Sequence, residues 1–300
     1  MASLREIRSK IKSVKSTQQI TKAMKMVAAA RMRKAQQSIL ASRPFAVQME
    51  KAVADLVKLE VLSDIRNGDP IEIHPFFEDR GDARECLMLV TADKGLCGSF
   101  NANILRQAIA WIQARRDKKL TVAVVGRKGR DLLNRLRDVE IDRAVELVNI
   151  FPKVGFKHAE LVAEPVLSLF ERGEIDKVTV MYTEFRSVVS QQVVEKQLLP
   201  IPTPKVDADE VLNPFGFHFE PGRQQLLSTL LPRDIKAQVY RFLLESQAAE
   251  LAARMNAMES ASKNAGELIE GLTLAMNRTR QGIITNELME IVGGAEALAA

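Results

Sequence analysis

Residues 244–283, LESQAAELAARMNAMESASKNAGELIEGLTLAMNRTRQGI, decide the fold. Leu244, Ala248, Leu251, Met255, Met258, Ser262, Ala265, Ile269, Leu272, Met276, Thr279 and Ile283 follow one another in alternating steps of four and three. That is the seam of a coiled-coil helix. After Pro232 no proline interrupts it, so one helix is predicted from about residue 223 to 290. At ~1.5 Å per residue its length is on the order of 90 Å, longer than a compact domain is wide, so it needs a partner. Its seam has small and sulfur-containing residues in place of a solid leucine row, which suits a closely packed partner and a slim outer surface.

The start of the chain supplies that partner. Leu4, Ile7, Ile11, Val14, Gln18, Thr21, Ala28, Met32, Ala35 and Ile39 keep the same spacing, with no glycine or proline before Pro44. The chain leaves along one helix and returns along the other, so an antiparallel two-stranded coiled coil projecting from a central domain is expected. Polar Gln18 and Thr21 sit in the seam, where such residues set register.

Between the helices the period changes. Residues 85–91 (ECLMLVT), 120–126 (LTVAVVG) and 177–185 (KVTVMYTEF) are short apolar or β-branched runs, the first two nearly continuous, as buried parallel strands are. Helical stretches 101–116, 128–137 and 156–172 alternate with them, which predicts a small doubly wound, Rossmann-like sheet. Residues 187–198 read as a further strand, antiparallel to the one before it. The expected organisation is therefore an α/β fold: an N-terminal coiled-coil helix over 1–60, a central α/β domain over 84–200 and a C-terminal coiled-coil helix over 210–300.

Composition narrows the functional classes. The hydrophobic content of 46% and charged content of 27% are those of an ordinary globular chain, while 5% aromatics reflects long helices rather than a large core. No run approaches the eighteen or so apolar residues of a membrane span. Cys86 and Cys97 match no metal spacing and no disulfide framework, and His74, His158 and His218 are scattered. The first 50 residues carry eleven basic side chains against Glu6 and Glu50, in a chain of net charge +5, so the remainder is slightly acidic. A basic helix of this kind could meet nucleic acid, an acidic membrane surface or an acidic protein. Stacking aromatics and recognition modules that would favour nucleic acid are lacking. The basic, acid-poor opening also has the composition of an organellar leader, but its seam runs on without a break past Ile39.

Two turns could carry chemistry. TADKGLCGSF (91–100) follows the first strand, where α/β folds bind ligands, and GRKG (126–129) has the look of an anion nest. Neither holds a phosphate-loop pattern, and no nucleophile with a base can be assembled, so the chain is not expected to be a catalyst or to need a cofactor.

Three segments carry a family resemblance: LREIRSKIKSVKSTQQITKAMKMVAAARMRKAQ (4–36), DKGLCGSFN (93–101) and RTRQGIITNELMEIVGGAEAL (278–298). In this order they resemble the γ subunit of F-type ATP synthases, along essentially the whole chain. The resemblance implies a non-catalytic rotor shaft. Its coiled coil would stand inside a ring of α and β subunits, with the α/β domain meeting the ε subunit and the membrane-embedded c-ring. Carried over by residue, Met24 and Lys25 would meet the moving lever of a β subunit, and Arg280, Gln281, Thr285 and Glu287 a β-subunit loop. Phe217, Phe219 and Glu220 fall where the family has an aromatic-rich foot near the c-ring and ε. The dithiol insertion of the chloroplast relatives has no counterpart here, which points to the cytoplasmic face of a bacterial inner membrane. The alternative is a nucleotide- or anion-binding α/β enzyme with the helices as dimerisation arms.

Overall fold

The computed structural model describes residues 3–67, 74–136, 139–203, 220 and 222–299. Two helices dominate: α1 (Leu4–Asn67) and α5 (Arg223–Ala299). The chain forms two compact units, one of residues 1–29 with 254–300 and the other of residues 30–253.

In the first unit the two helices pair as the sequence predicts. Gln18 Nε2 donates to the Ser262 carbonyl at 3.3 Å, and seven residues on Lys25 Nζ meets Glu259 Oε1 at 2.6 Å. The partner's numbering falls as α1's rises, so the pair is antiparallel. Ile7, Thr21, Ala28, Met258 and Ala265 are buried on the predicted seam. Half-buried Gln18 links the two helices at this level, as a polar seam residue that sets register does. Thr21 instead donates its hydroxyl to the Gln18 carbonyl of its own helix.

The second unit is built on a five-stranded sheet of order β3-β2-β1-β4-β5. The strands are β1 (Arg84–Val90), β2 (Lys119–Val125), β3 (Ile141–Leu147), β4 (Lys177–Phe185) and β5 (Gln191–Leu199). The first four are parallel and β5 is antiparallel to β4. Helices α2 (Phe100–Gln113), α3 (Arg127–Leu133) and α4 (Phe156–Glu171) make the crossovers. Strand β3 is absent from the sequence reading. It is an edge strand with polar residues on its open side, paired on one side only, and has no apolar run to betray it.

The period of two along each strand sends alternate side chains to two cores. Leu87, Leu89, Val122 and Val124 pack with Ile104, Ala108, Trp111 and Ile112 of α2 on one face. Cys86, Met88, Val90, Val178 and Val180 face the other, under α4, the C-terminal part of α1 (Val53, Leu56, Val57, Val61) and the N-terminal part of α5 (Leu227, Leu231, Ile235, Val239, Phe242). Both long helices are therefore part of the body of the domain. Charged groups close the amino ends of the strands: buried Glu85 takes Arg115 and Lys118, and Asp176 takes Arg84.

Candidate functional site

In an open α/β sheet a ligand sits outside the carboxyl ends of the strands, where the chain's direction of winding reverses. Here that point lies between β1 and β4, and the chain itself also closes the carboxyl ends of β1, β2 and β3 beside it. Asp93, only 6% exposed, accepts hydrogen bonds at Oδ1 from the Arg127 and Asn149 amides (3.0 and 2.8 Å) and at Oδ2 from the Phe151 amide (3.2 Å). The next donors of the GRKG turn are also taken: Lys128 N–H by the Ala92 carbonyl and Gly129 N–H by Thr91 Oγ1 at 2.8 Å. Gly126, at φ +96°, lies so close to β1 that a Cβ would stand 2.1 Å from the Thr91 carbonyl oxygen. The glycines of this turn serve close packing, and its amides already hold a carboxylate. Ala92, Cys97 and Phe100 then pack against Ala249 of α5, which covers the crevice.

The candidate nucleophiles and bases are likewise engaged in structure. Burial pushes the Cys86 thiol up to about 12, far from the thiolate a nucleophile requires. Cys97 is buried beside Asn101, whose amide donates to its sulfur. His74 accepts from the Phe76 amide through Nδ1, and burial lowers its pKa. His158 accepts from the Gly155 amide at the start of α4. His218 lies outside the described residues. Among the described residues no group of histidine, cysteine and acidic side chains could hold a metal ion, and no helix is long and apolar enough to cross a membrane.

What remains is surface along the long helices. Met24 and Lys25 are half-buried on α1. Lys25 occupies a seam position, three residues before Ala28, and reaches across to Glu259. Arg280, Gln281, Thr285 and Glu287 are exposed on α5, the Thr285 hydroxyl donating back to the Gln281 carbonyl. The residues carried over from the resemblance leave out the apolar side chains interleaved with them: Ile284, Leu288, Met289, Ile291 and Val292 are all exposed. Their signal was in the sequence, as an apolar-rich segment running past the last seam residue. Glu220 is exposed, and Phe217 and Phe219 lie outside the described residues.

Residues 3–298 match the model of a family described as ATP synthase. The chain is 45% identical over 300 residues to the ATP synthase gamma chain of an Anaeromyxobacter species, covering 99% of this chain and all of that one. To the gamma chain of Elusimicrobium minutum it is 43% identical, covering 99% of both. Among solved structures, a chain of the central stalk and c-ring of the Tetrahymena thermophila mitochondrial ATP synthase aligns with a TM-score of 0.60 and 28% identity, over 81% of this chain and 99% of that one. A chain of the Euglena gracilis mitochondrial enzyme, in an assembly with the c-ring, aligns at 0.65 and 19% identity over 98% and 94%, a likeness of fold. The filled crevice, the antiparallel helix pair and a match along the full length agree: this chain belongs to the ATP synthase gamma-chain family.

Proposed function

We propose that the chain is the central rotor shaft of an F-type ATP synthase. Its helix pair stands within the ring of α and β subunits, and its α/β domain engages the ε subunit and the c-ring. Proton-driven turning of the c-ring turns the shaft, which takes each β subunit in turn through the states that bind ADP and phosphate, form ATP and release it. ATP hydrolysis drives the reverse. The chain carries no catalytic site of its own. The observation that carries this reading is the end of α5, where residues 280–295 are all exposed and mix large apolar side chains with polar ones. An isolated protein gains nothing from that arrangement, and a surrounding ring supplies its cover.

On this reading Met24 and Lys25 touch the β-subunit lever, and Arg280, Gln281, Thr285 and Glu287 touch a β-subunit loop. Such polar groups exchange hydrogen bonds between successive partners more readily than a fixed apolar anchor would. Phe217, Phe219 and Glu220 belong to the foot against the c-ring and ε. The location is peripheral, on the cytoplasmic face of a bacterial inner membrane. An α/β enzyme with dimerising arms is set aside because Ala249 packs over the turn after β1 and Asp93 already takes the turn amides an anion would use.

The test is reconstitution with matching α and β subunits and observation of a probe fixed to the α/β domain while ATP is supplied. One-directional rotation is expected, with weakened assembly or torque in the Arg280→Ala, Gln281→Ala double variant. Failure to join the ring would overturn the rotor reading. Unchanged assembly and torque in the variant would overturn the assigned contact.

A further inference from the structure

A second crevice lies on the other side of α2. Strand β5 is an edge strand, and between it and the flank of α2 is a cavity of about 320 Å³, at the small end of the range for ligand sites. Thr183 of β4 forms part of its wall. On β4, Met181 packs into the α2 core and Phe185 packs beside Phe100, so Thr183, between them at a spacing of two, faces the same side. It is 3% exposed, and its hydroxyl has no hydrogen-bond partner among the described residues. A buried hydroxyl is rarely left so unless something else completes it.

Phe100, Val193 and Ala253 supply the apolar part of the wall, and the polar part has one chemical character. Ser99, Asn103, Arg106 and Gln107 line it from α2 and Gln192 from β5, and no carboxylate lines it. Arg106 has no ion-pair or hydrogen-bond partner among the described residues. Ser99 stands at the N-cap of α2 but makes no side-chain cap bond, its hydroxyl accepting instead from Asn103 Nδ2. A cation, several neutral donors and an unsatisfied buried hydroxyl make a surface for a compact anion with several acceptor oxygens.

We propose that this crevice is a binding site for a small oxyanion of the phosphate class, held by the Arg106 guanidinium and the Thr183 hydroxyl. It is separate from the filled crevice at the end of β1 and does not depend on the rotor reading.

The chain contains its own reporter. Trp111, its only tryptophan, lies one turn beyond Gln107 on α2 and donates to Glu195 of β5 at 2.9 Å, spanning the two walls. Inorganic phosphate titrated into the full-length chain at constant ionic strength is expected to give a saturable change in tryptophan emission that chloride does not reproduce. Arg106→Gln and Thr183→Val should each weaken the phosphate response at least tenfold. Arg186→Gln, at the exposed β4–β5 turn, should leave it unchanged. Arg106 is exposed, so its variant keeps the test decisive even where the core substitution impairs folding. A response that never saturates, that chloride or acetate matches, or that Arg106→Gln retains in full would overturn the proposal.

Discussion

Two stretches of one helix, α5, differ in nearly everything but their secondary structure. Residues 242–252 are buried on every side, whereas residues 280–295 are exposed throughout. Composition does not separate them, since each mixes apolar, small and polar residues. In the first, Phe242 and Leu243 enter the core below the sheet, Ala249 fills the crevice at the carboxyl ends of β1 and β4, and Gln247 donates to the Pro152 carbonyl. Among the described residues the second has no such neighbours. The same helix is thus a core element at one end and a bare surface at the other. Stability should reside in the first stretch and assembly in the second.

The largest effect expected from that contrast is at Phe242. Its ring is 2% exposed, stacks on Tyr182 with centroids 4.6 Å apart, and lies under the Lys196 ammonium. Phe242→Ala should cost about 3–5 kcal/mol in denaturant unfolding of the full chain, through lost burial and the cavity left behind. Ile291→Ala, at a side chain 68% exposed, should change that stability by no more than about 0.5 kcal/mol. Co-purification with the α and β ring should reverse the ranking, Ile291→Ala weakening capture although the free chain is intact. Equal stability losses at both positions would break the comparison.

Glycines sharpen it by sign. A methyl group at Gly126 meets the Thr91 carbonyl and forces a side chain onto φ +96°. Gly126→Ala should therefore cost about 1–3 kcal/mol from backbone strain alone, before the clash is relieved. Gly282 is helical, exposed and has nothing within 4 Å of an added Cβ. There the same substitution removes only the freedom of the unfolded backbone and should stabilise the helix by about 0.5–1 kcal/mol. Opposite shifts in melting temperature are expected, and shifts of one sign would refute the assignment of tight packing to one site and open space to the other.

These contrasts also explain what could be read in advance. The coiled coil was legible because a four-three period survives any choice of partner, and β1, β2 and β4 because strands covered on both faces must be apolar nearly throughout. Strand β3 was not, since an edge position tolerates Asp142, Arg143 and Glu146. The polar seam residue Gln18 pointed correctly to register, but the pairing of Lys25 with Glu259 joins residues far apart in sequence and has no local sign. Nor could the turn 91–100 announce that Asp93 satisfies three amides from two other loops. Its residues also suit a ligand site, and only the fold brings Arg127, Asn149 and Phe151 to one carboxylate.

A third contrast, in pH dependence, concerns two buried acids with opposite surroundings. Asp176 lies against Arg84, whose hydrogen bond holds its carboxyl below the usual carboxylate range. A depressed folded pKa contributes stability above the unfolded value and loses it as pH falls through the folded one. Asp234 of α5 is 6% exposed, and burial raises its pKa despite the Gln238 amide donating to it at 2.8 Å. A raised carboxyl has the opposite sign: keeping it charged costs stability at neutral pH, and the cost disappears as pH falls through the folded pKa. Asp234→Asn keeps an oxygen for the Gln238 amide and removes the charge, so it should stabilise the chain at pH 7 by up to about 1 kcal/mol. That gain should shrink toward acid, whereas the loss caused by Asp176→Asn should also shrink, from the opposite side, as the wild-type carboxylate is protonated. Unfolding curves of both variants from pH 7 downward provide the check. A gain at Asp234 that grew on acidification would mean that its carboxylate has a partner stabilising the charged form, and the acid would then belong with Asp176.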